Sequence, residues 1–168
     1  MANPNAIDPN QPIVVSVLDR LLDDDPTSRA DPTKSRGQYL ADLRRALHRD
    51  IEGLLNTHQY CRPLPRDLSE LNLSLLDYGM PHFLGLATAT DAARAQFRVE
   101  IESLLRRFEP RFKRVSVTLI DNADSLERTL RFRIDALVHA DPDPEPVSFD
   151  SLFEPVHRRF ALTAPGRE

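Results

Sequence analysis

The chain has 168 residues, 40% hydrophobic and 29% charged, which fits one domain with short tails. A net charge of −4 speaks against general nucleic-acid binding, and apolar runs of only a few residues speak against a transmembrane helix or direct membrane insertion. The single cysteine, Cys61, excludes an intrachain disulfide and fits a reducing compartment, and the stretch from Met1 to Gln11 has no basic region followed by an apolar core, so no secretory signal is expected.

Residues 1–13 are polar and rich in Pro and Asn, which predicts a flexible N-terminal arm. Residues 14–163 then form the expected single domain, with 164–168 as a tail. Leu18, Leu21 and Leu22 have helical spacing, so a short anchoring helix is expected before the break at Asp23-Asp24-Asp25-Pro26. The first long helix is predicted from Gln38 to Asn56. Leu40, Leu43, Leu47, Ile51 and Leu54 lie three or four apart on one stripe. Arg44, Arg45, Arg49 and Glu52 fall elsewhere and read as a solvated face. Pro63 and Pro65 forbid a long helix in the next stretch, and Leu71 to Tyr78 reads as a short helix stopped by Gly79 and Pro81.

A second long helix is predicted from Thr88 or Thr90. Thr88 and Asp91 have capping-box spacing with Asp in place of Glu. Its apolar stripe is Phe97, Ile101, Leu104, Leu105 and Phe108. Arg106 and Arg107 sit in the last turn, where cations favour the helix dipole. Pro110 disfavours α geometry at Glu109, so the helix should stop near Phe108.

Strands follow. Val115, Val117 and Leu119 alternate with Ser116, Thr118 and Ile120. Leu130, Phe132, Ile134, Ala136 and Val138 alternate with Arg131, Arg133, Asp135, Leu137 and His139. Asp121 to Ser125 suits a hairpin turn, and residues 141–146 read as a stiff acidic connector. Val147–Phe153 and Val156–Leu162 are two further short strands. Helices first and strands last predict an α+β fold, with N-terminal helices packed on a C-terminal, mainly antiparallel sheet. Pro155 beside the final strand suits a sheet edge, with Arg158 and Arg159 guarding it. The strand from Leu130 to Val138 is the next candidate for a docking edge.

Few residues suggest chemistry. His58-x-x-Cys61 resembles half a zinc site, but no second cysteine exists to complete it, so neither metal nor cofactor is expected. Hydrolase, phosphate-loop and dinucleotide motifs do not occur. A glycosidase needs two carboxylates in unlike environments. Glu100 and Glu102 point to different helix faces. Arg111, two residues from Glu109, favours the carboxylate anion, whereas an acid catalyst must be protonated. The tetrapeptide Phe108-Glu109-Pro110-Arg111 therefore has two readings. One is an internal ion pair or pair of caps, the commoner fate of charges at element ends. The other is a rigid display of opposite charges for bidentate contact with another surface. Arg131 and Arg133, on the polar face of a strand, read as solvated.

Several short pieces, taken in order, resemble the TssE family of bacterial type VI secretion baseplates, which is related to the small wedge protein encoded by gene 25 of contractile-tailed phages. They are Ser16-Val-Leu-Asp-Arg-Leu21, Arg49-Asp-Ile-Glu-Gly-Leu-Leu-Asn-Thr57, Tyr78-Gly-Met-Pro81, Phe108-Glu-Pro-Arg111, Val115-Ser-Val-Thr118 and Leu130-Arg-Phe-Arg-Ile134. His58 stands where that family usually has Arg, and His82 where it usually has Asp. The resemblance implies a non-enzymatic, cytoplasmic protein at a baseplate docked on the inner membrane. It implies the wedge subunits TssF and TssG as partners, with TssK in the same baseplate, and a sheet that seeds the sheath of TssB and TssC. It raises the contact reading of Glu109, Pro110 and Arg111, and assigns the loop to the wedge. Arg131, Arg133, Arg158 and Arg159 are further candidate contacts, with the last strands facing the sheath. The competing class is a peptidoglycan-cleaving, lysozyme-like hydrolase.

Overall fold

The computed structural model describes residues 16–22, 34–59, 67, 70, 74–81, 90–120, 129–140 and 143–163. The predicted arm, the His58–Cys61 pairing, Pro63, Pro65, Thr88 and the Asp121–Ser125 turn lie wholly or partly outside these residues. Eight elements are described in chain order: helix α1 (Val17–Leu21), helix α2 (Arg36–Asn56), a 3-10 turn (Leu75–Asp77), helix α3 (Asp91–Phe108) and strands β1 (Phe112–Ile120), β2 (Leu130–Val138), β3 (Glu145–Glu154) and β4 (Arg159–Thr163). The strands form one antiparallel sheet in the order β1-β2-β3-β4, and the α+β architecture is as expected.

Each long helix starts at a hydroxyl cap. Ser35 and Gln38 form a reciprocal capping box at α2. The Thr90 hydroxyl accepts from the Ala93 amide at α3, so Thr90 rather than Thr88 is the cap. α3 ends at Phe108, as Pro110 requires. The helices lay their apolar stripes on one face of the sheet. Leu47, Ile51, Leu55, Ile101 and Leu105 are fully buried against Val115, Phe132, Ile134 and Val138. At the centre Phe97, Phe132, Phe153 and Phe160 form an aromatic cluster, with centroids 4.6–6.1 Å apart among the contacting pairs. Ser151 is the polar intruder on this face: its buried hydroxyl has no partner among the described residues.

Several expected boundaries shift. Glu145 and Pro146, assigned to the connector, belong to β3, where Pro146 pairs opposite Leu137. Val156 lies in the turn between β3 and β4 rather than in a strand, and Arg158 adopts φ 52° there. Of the expected helix from Leu71 to Tyr78, residues 71–73 lie outside the described residues and the rest holds the 3-10 turn. α1 forms, but its apolar residues do not anchor it: Val17 and Leu21 are about three-quarters exposed. β2 is paired on both sides and is therefore no docking edge. The edges are β1 and β4.

One tight approach ties the residues just after α2 to those just after the 3-10 turn. Thr57–Gln59 pairs with Met80: the Met80 amide donates to Thr57 O at 2.7 Å and the Gln59 amide to Met80 O at 2.9 Å. Gly79, at φ 106°, makes this possible, because a Cβ there would lie 2.5 Å from Thr57 O. This is the physical reason for glycine in the Tyr78-Gly-Met-Pro81 piece.

Candidate functional site: the joint between α3 and β1

The joint is fixed along its backbone. The Glu109 amide donates to Leu105 O, the Phe112 amide to Glu109 O, and the His139 amide, just past β2, to Arg111 O at 2.8 Å. Pro110 forms the exposed apex. Glu109 turns inward and is 6% exposed. The Arg111 guanidinium grips it bidentately, with Nε to Oε1 and Nη2 to Oε2 both at 2.6 Å, and the Arg111 amide adds a weaker bond to Oε1. Arg111 Nη2 also donates to Asp50 on α2 at 2.7 Å. The pair is thus internal in the free chain, which corrects the picture of two charges simply held out for a partner.

The ionic contacts continue. Asp50 accepts from Arg49 at 2.8 Å, and Arg49 reaches Asp19 on α1 at 2.8 Å. Five charges alternate along the chain Asp19–Arg49–Asp50–Arg111–Glu109, joining α1, α2 and the joint. Arg49 is therefore a link in this chain, not a free member of a solvated face. The Glu109 bond, aided by Asp50, pushes the Arg111 pKa up despite burial. Burial pushes the Asp19 carboxyl up, but the Ser16 hydroxyl and Arg49 outweigh it and leave its pKa below the ordinary value. Burial, with the Asp50 and Glu109 carboxylates nearby, raises the Tyr78 phenol. Tyr78 packs edge-on against Phe108, and Arg107 lies over the same ring while pairing with Asp77.

Periodicity alone gives no role to Asp50 or Asp19. Asp50 sits one step from Ile51 and three from Leu47, at the border of the buried stripe. That position was the available signal for a carboxylate turned towards the joint.

The other candidate residues lie apart from the joint. Arg131 and Arg133 project from the outer face of β2. Arg133 holds Asp150 across the strand pair at 2.7 and 3.3 Å, which raises its own pKa. Arg158 and Arg159 flank the β3–β4 turn. Arg159 pairs opposite Glu154, near Phe153, which pairs with Leu130 at the start of β2. The joint sits at the other end of β2, beside His139. The structure therefore separates the candidates into a joint at one end of the sheet, two arginines on its outer face and two at the opposite end.

The arrangement offers little to catalysis. Both oxygens of Glu109 are occupied by Arg111. Among the described residues, no three His, Cys, Asp or Glu side chains gather as a metal site, and no helix is long and apolar enough to cross a membrane.

Comparison with known proteins adds a family. The model of the baseplate wedge protein gp25 family matches residues 41–143, more than half of the chain. That span takes in most of α2, all of α3, the joint, β1 and β2. Among solved structures, a chain of "The baseplate complex from the type VI secretion system" aligns over 68% of this chain and 96% of its own length, at 16% identity and a TM-score of 0.47. Comparison with curated proteins gives no match.

Proposed function

The chain belongs to the baseplate wedge protein gp25 family, and from that premise we propose that it is a structural component of a type VI secretion baseplate that joins the wedge subunits TssF and TssG and starts the contractile sheath. The observation that carries this reading is the joint at Glu109–Arg111. A buried carboxylate, a bidentate guanidinium and three backbone bonds hold an exposed proline at a fixed height. Such rigidity lowers the ordering cost of docking. It is far more than a helix-to-strand turn needs, which a glycine or asparagine would satisfy. The wedge contact comprises Pro110 and the outer rim of Arg111, supported by Asp50.

Residues 14–163 act as one wedge-type domain beside TssK, at a baseplate assembled on the cytoplasmic side of the inner membrane. Arg158 and Arg159, at the far end of the sheet, lie towards sheath subunits TssB and TssC, with Arg131 and Arg133 on the outer face. One bound surface at each end suits a protein that passes register from wedge to sheath. The hydrolase reading loses its strongest carboxylate to Arg111, and no lytic activity follows from this site.

Co-purification with TssF and TssG tests the proposal. Arg111→Lys keeps a positive charge near Glu109 and Asp50 but loses the planar fork. The expected result is a folded variant that no longer retains the wedge subunits and forms no sheath in cells. A folded Arg111→Lys protein that binds TssF and TssG like the wild type would sink the assignment.

A further inference from the structure

The ionic chain that ends in the joint has no slack. Each of its three carboxylates has both oxygens bonded. Asp19 Oδ1 accepts from Arg49, and Oδ2 accepts from the Ser16 hydroxyl that caps α1. Asp50 Oδ1 accepts from Arg49 and Oδ2 from Arg111. Glu109 gives both oxygens to Arg111. Asp50 is therefore steered by a guanidinium on each oxygen. The two ends of the chain also feel each other. Burial pushes the Asp19 pKa up, while Ser16, Arg49 and, beyond them, Arg111 pull it down.

The hold on Arg111 sets what is left for a partner. Nε and Nη2 bond Glu109, and Nη2 also bonds Asp50, so Nη1 is the group without a bond among the described residues. Its direction depends on where Asp50 stands. The Asp50 side chain is 30% exposed and has room to turn. Arg49 is 45% exposed and is tethered at its far side by Asp19. A single exposed pair is too weak to pin so long a side chain, whereas two carboxylates on one guanidinium restrain it. Leu18, Leu21 and Leu22 are exposed, so α1 is fixed by this ion pair rather than by burial. α1 is the movable end of the chain.

We propose that Asp19 and Arg49 are positioning residues for the joint: α1, docked through Asp19, holds Arg49 against Asp50, Asp50 fixes Arg111, and the joint presents a single guanidinium direction only while α1 is in place. That this direction serves the wedge rests on the baseplate reading above. The relay itself rests on the bonds within the chain.

Nitrogen NMR of the arginine side chains in the full-length protein tests the relay. Wild-type Arg111 should show slow rotation about its Nε–Cζ bond. Asp19→Asn leaves Asp50, Arg111 and Glu109 in place. It should speed that rotation about five-fold, the worth of one hydrogen bond, and shift the Nε signal. Arg49→Gln removes the middle link, keeps the cap of α1 and should do the same. Asp19→Glu restores a carboxylate and should return slow rotation. If Asp19 merely secured α1, the Ser16–Leu22 amides alone would move. Asp42→Asn, which loses ion pairs with Lys34 and Arg45 elsewhere on α2, is the control and should leave Arg111 unchanged. An unchanged rotation rate in Asp19→Asn and Arg49→Gln would overturn the proposal, as would an equal rise in Asp42→Asn. Where Arg111→Lys loses TssF and TssG, Asp19→Asn should retain them several-fold less than the wild type, and full retention would overturn the positioning role. The rotation is read on the free chain, so its failure and the failure of the baseplate reading are separate results.

Discussion

At the residue scale, the joint shows how one side chain changes meaning with burial. An exposed Glu–Arg pair contributes about 0–1 kcal/mol. Glu109 is 6% exposed, and its partner keeps only 22% of its side-chain surface. Removing one partner of such a pair leaves the other desolvated and poorly matched, at a cost of about 3–5 kcal/mol. Arg111 retains Asp50, which sets the expected loss at the lower end. Glu109→Gln should therefore destabilise the chain by roughly 3 kcal/mol, read as a lower urea midpoint. A midpoint within error of the wild type would mean that the ion pair contributes nothing to the fold. The same result separates folding from docking, since Arg111→Lys tests recognition with the buried carboxylate in place.

At the element scale, charge rather than apolar contact links α1 to the domain among the described residues: Asp19 pairs with Arg49, and Leu18, Leu21 and Leu22 face outward. The folded-state pKa of Asp19 is lowered from 3.8, so the contact adds stability above that value and loses it as pH falls through the folded pKa. Signals of the Ser16–Leu22 amides should therefore shift towards free values below about pH 3.8 while those of α2 still report a helix. Arg49→Ala should produce the same release at neutral pH. If α1 stays docked in that variant, another contact holds it.

Sequence periodicity revealed α2, α3, β1 and β2 because each buries one face, and a buried face leaves a stripe of Leu, Ile, Val or Phe. It found the helix α1 but not its exposure, since its leucines have helical spacing without burial. It failed at the start of β3, where two prolines suggested a connector. Pro146 is tolerated there in spite of the lost amide donor. The joint was legible as a rigid charged turn. Its inward direction was not, because Asp50 and Asp19 come from elements distant in sequence, and pairings across such distances leave no local pattern.

At the scale of the whole molecule, the sheet is a simple meander in which every strand pairs with its sequence neighbours. Its hairpins close short loops, whereas the contact between Asn56 and Phe160 spans 104 residues. Loop-closure entropy and contact order place such a contact late in folding. Asn56→Ala should then speed unfolding about five-fold, the kinetic equivalent of about 1 kcal/mol, and leave the folding rate nearly unchanged. A slowed folding limb with an unaltered unfolding limb in dilute stopped-flow measurements would place the contact in the nucleus instead. During translation the delay becomes an interval of time. At about 5–20 residues per second, α2 leaves the ribosome roughly 5–20 s before β4 can meet it. Through that interval the part of the α2 stripe that meets β4 stays uncovered, and the nascent chain is a client for whatever shields hydrophobic helices until the last strand emerges.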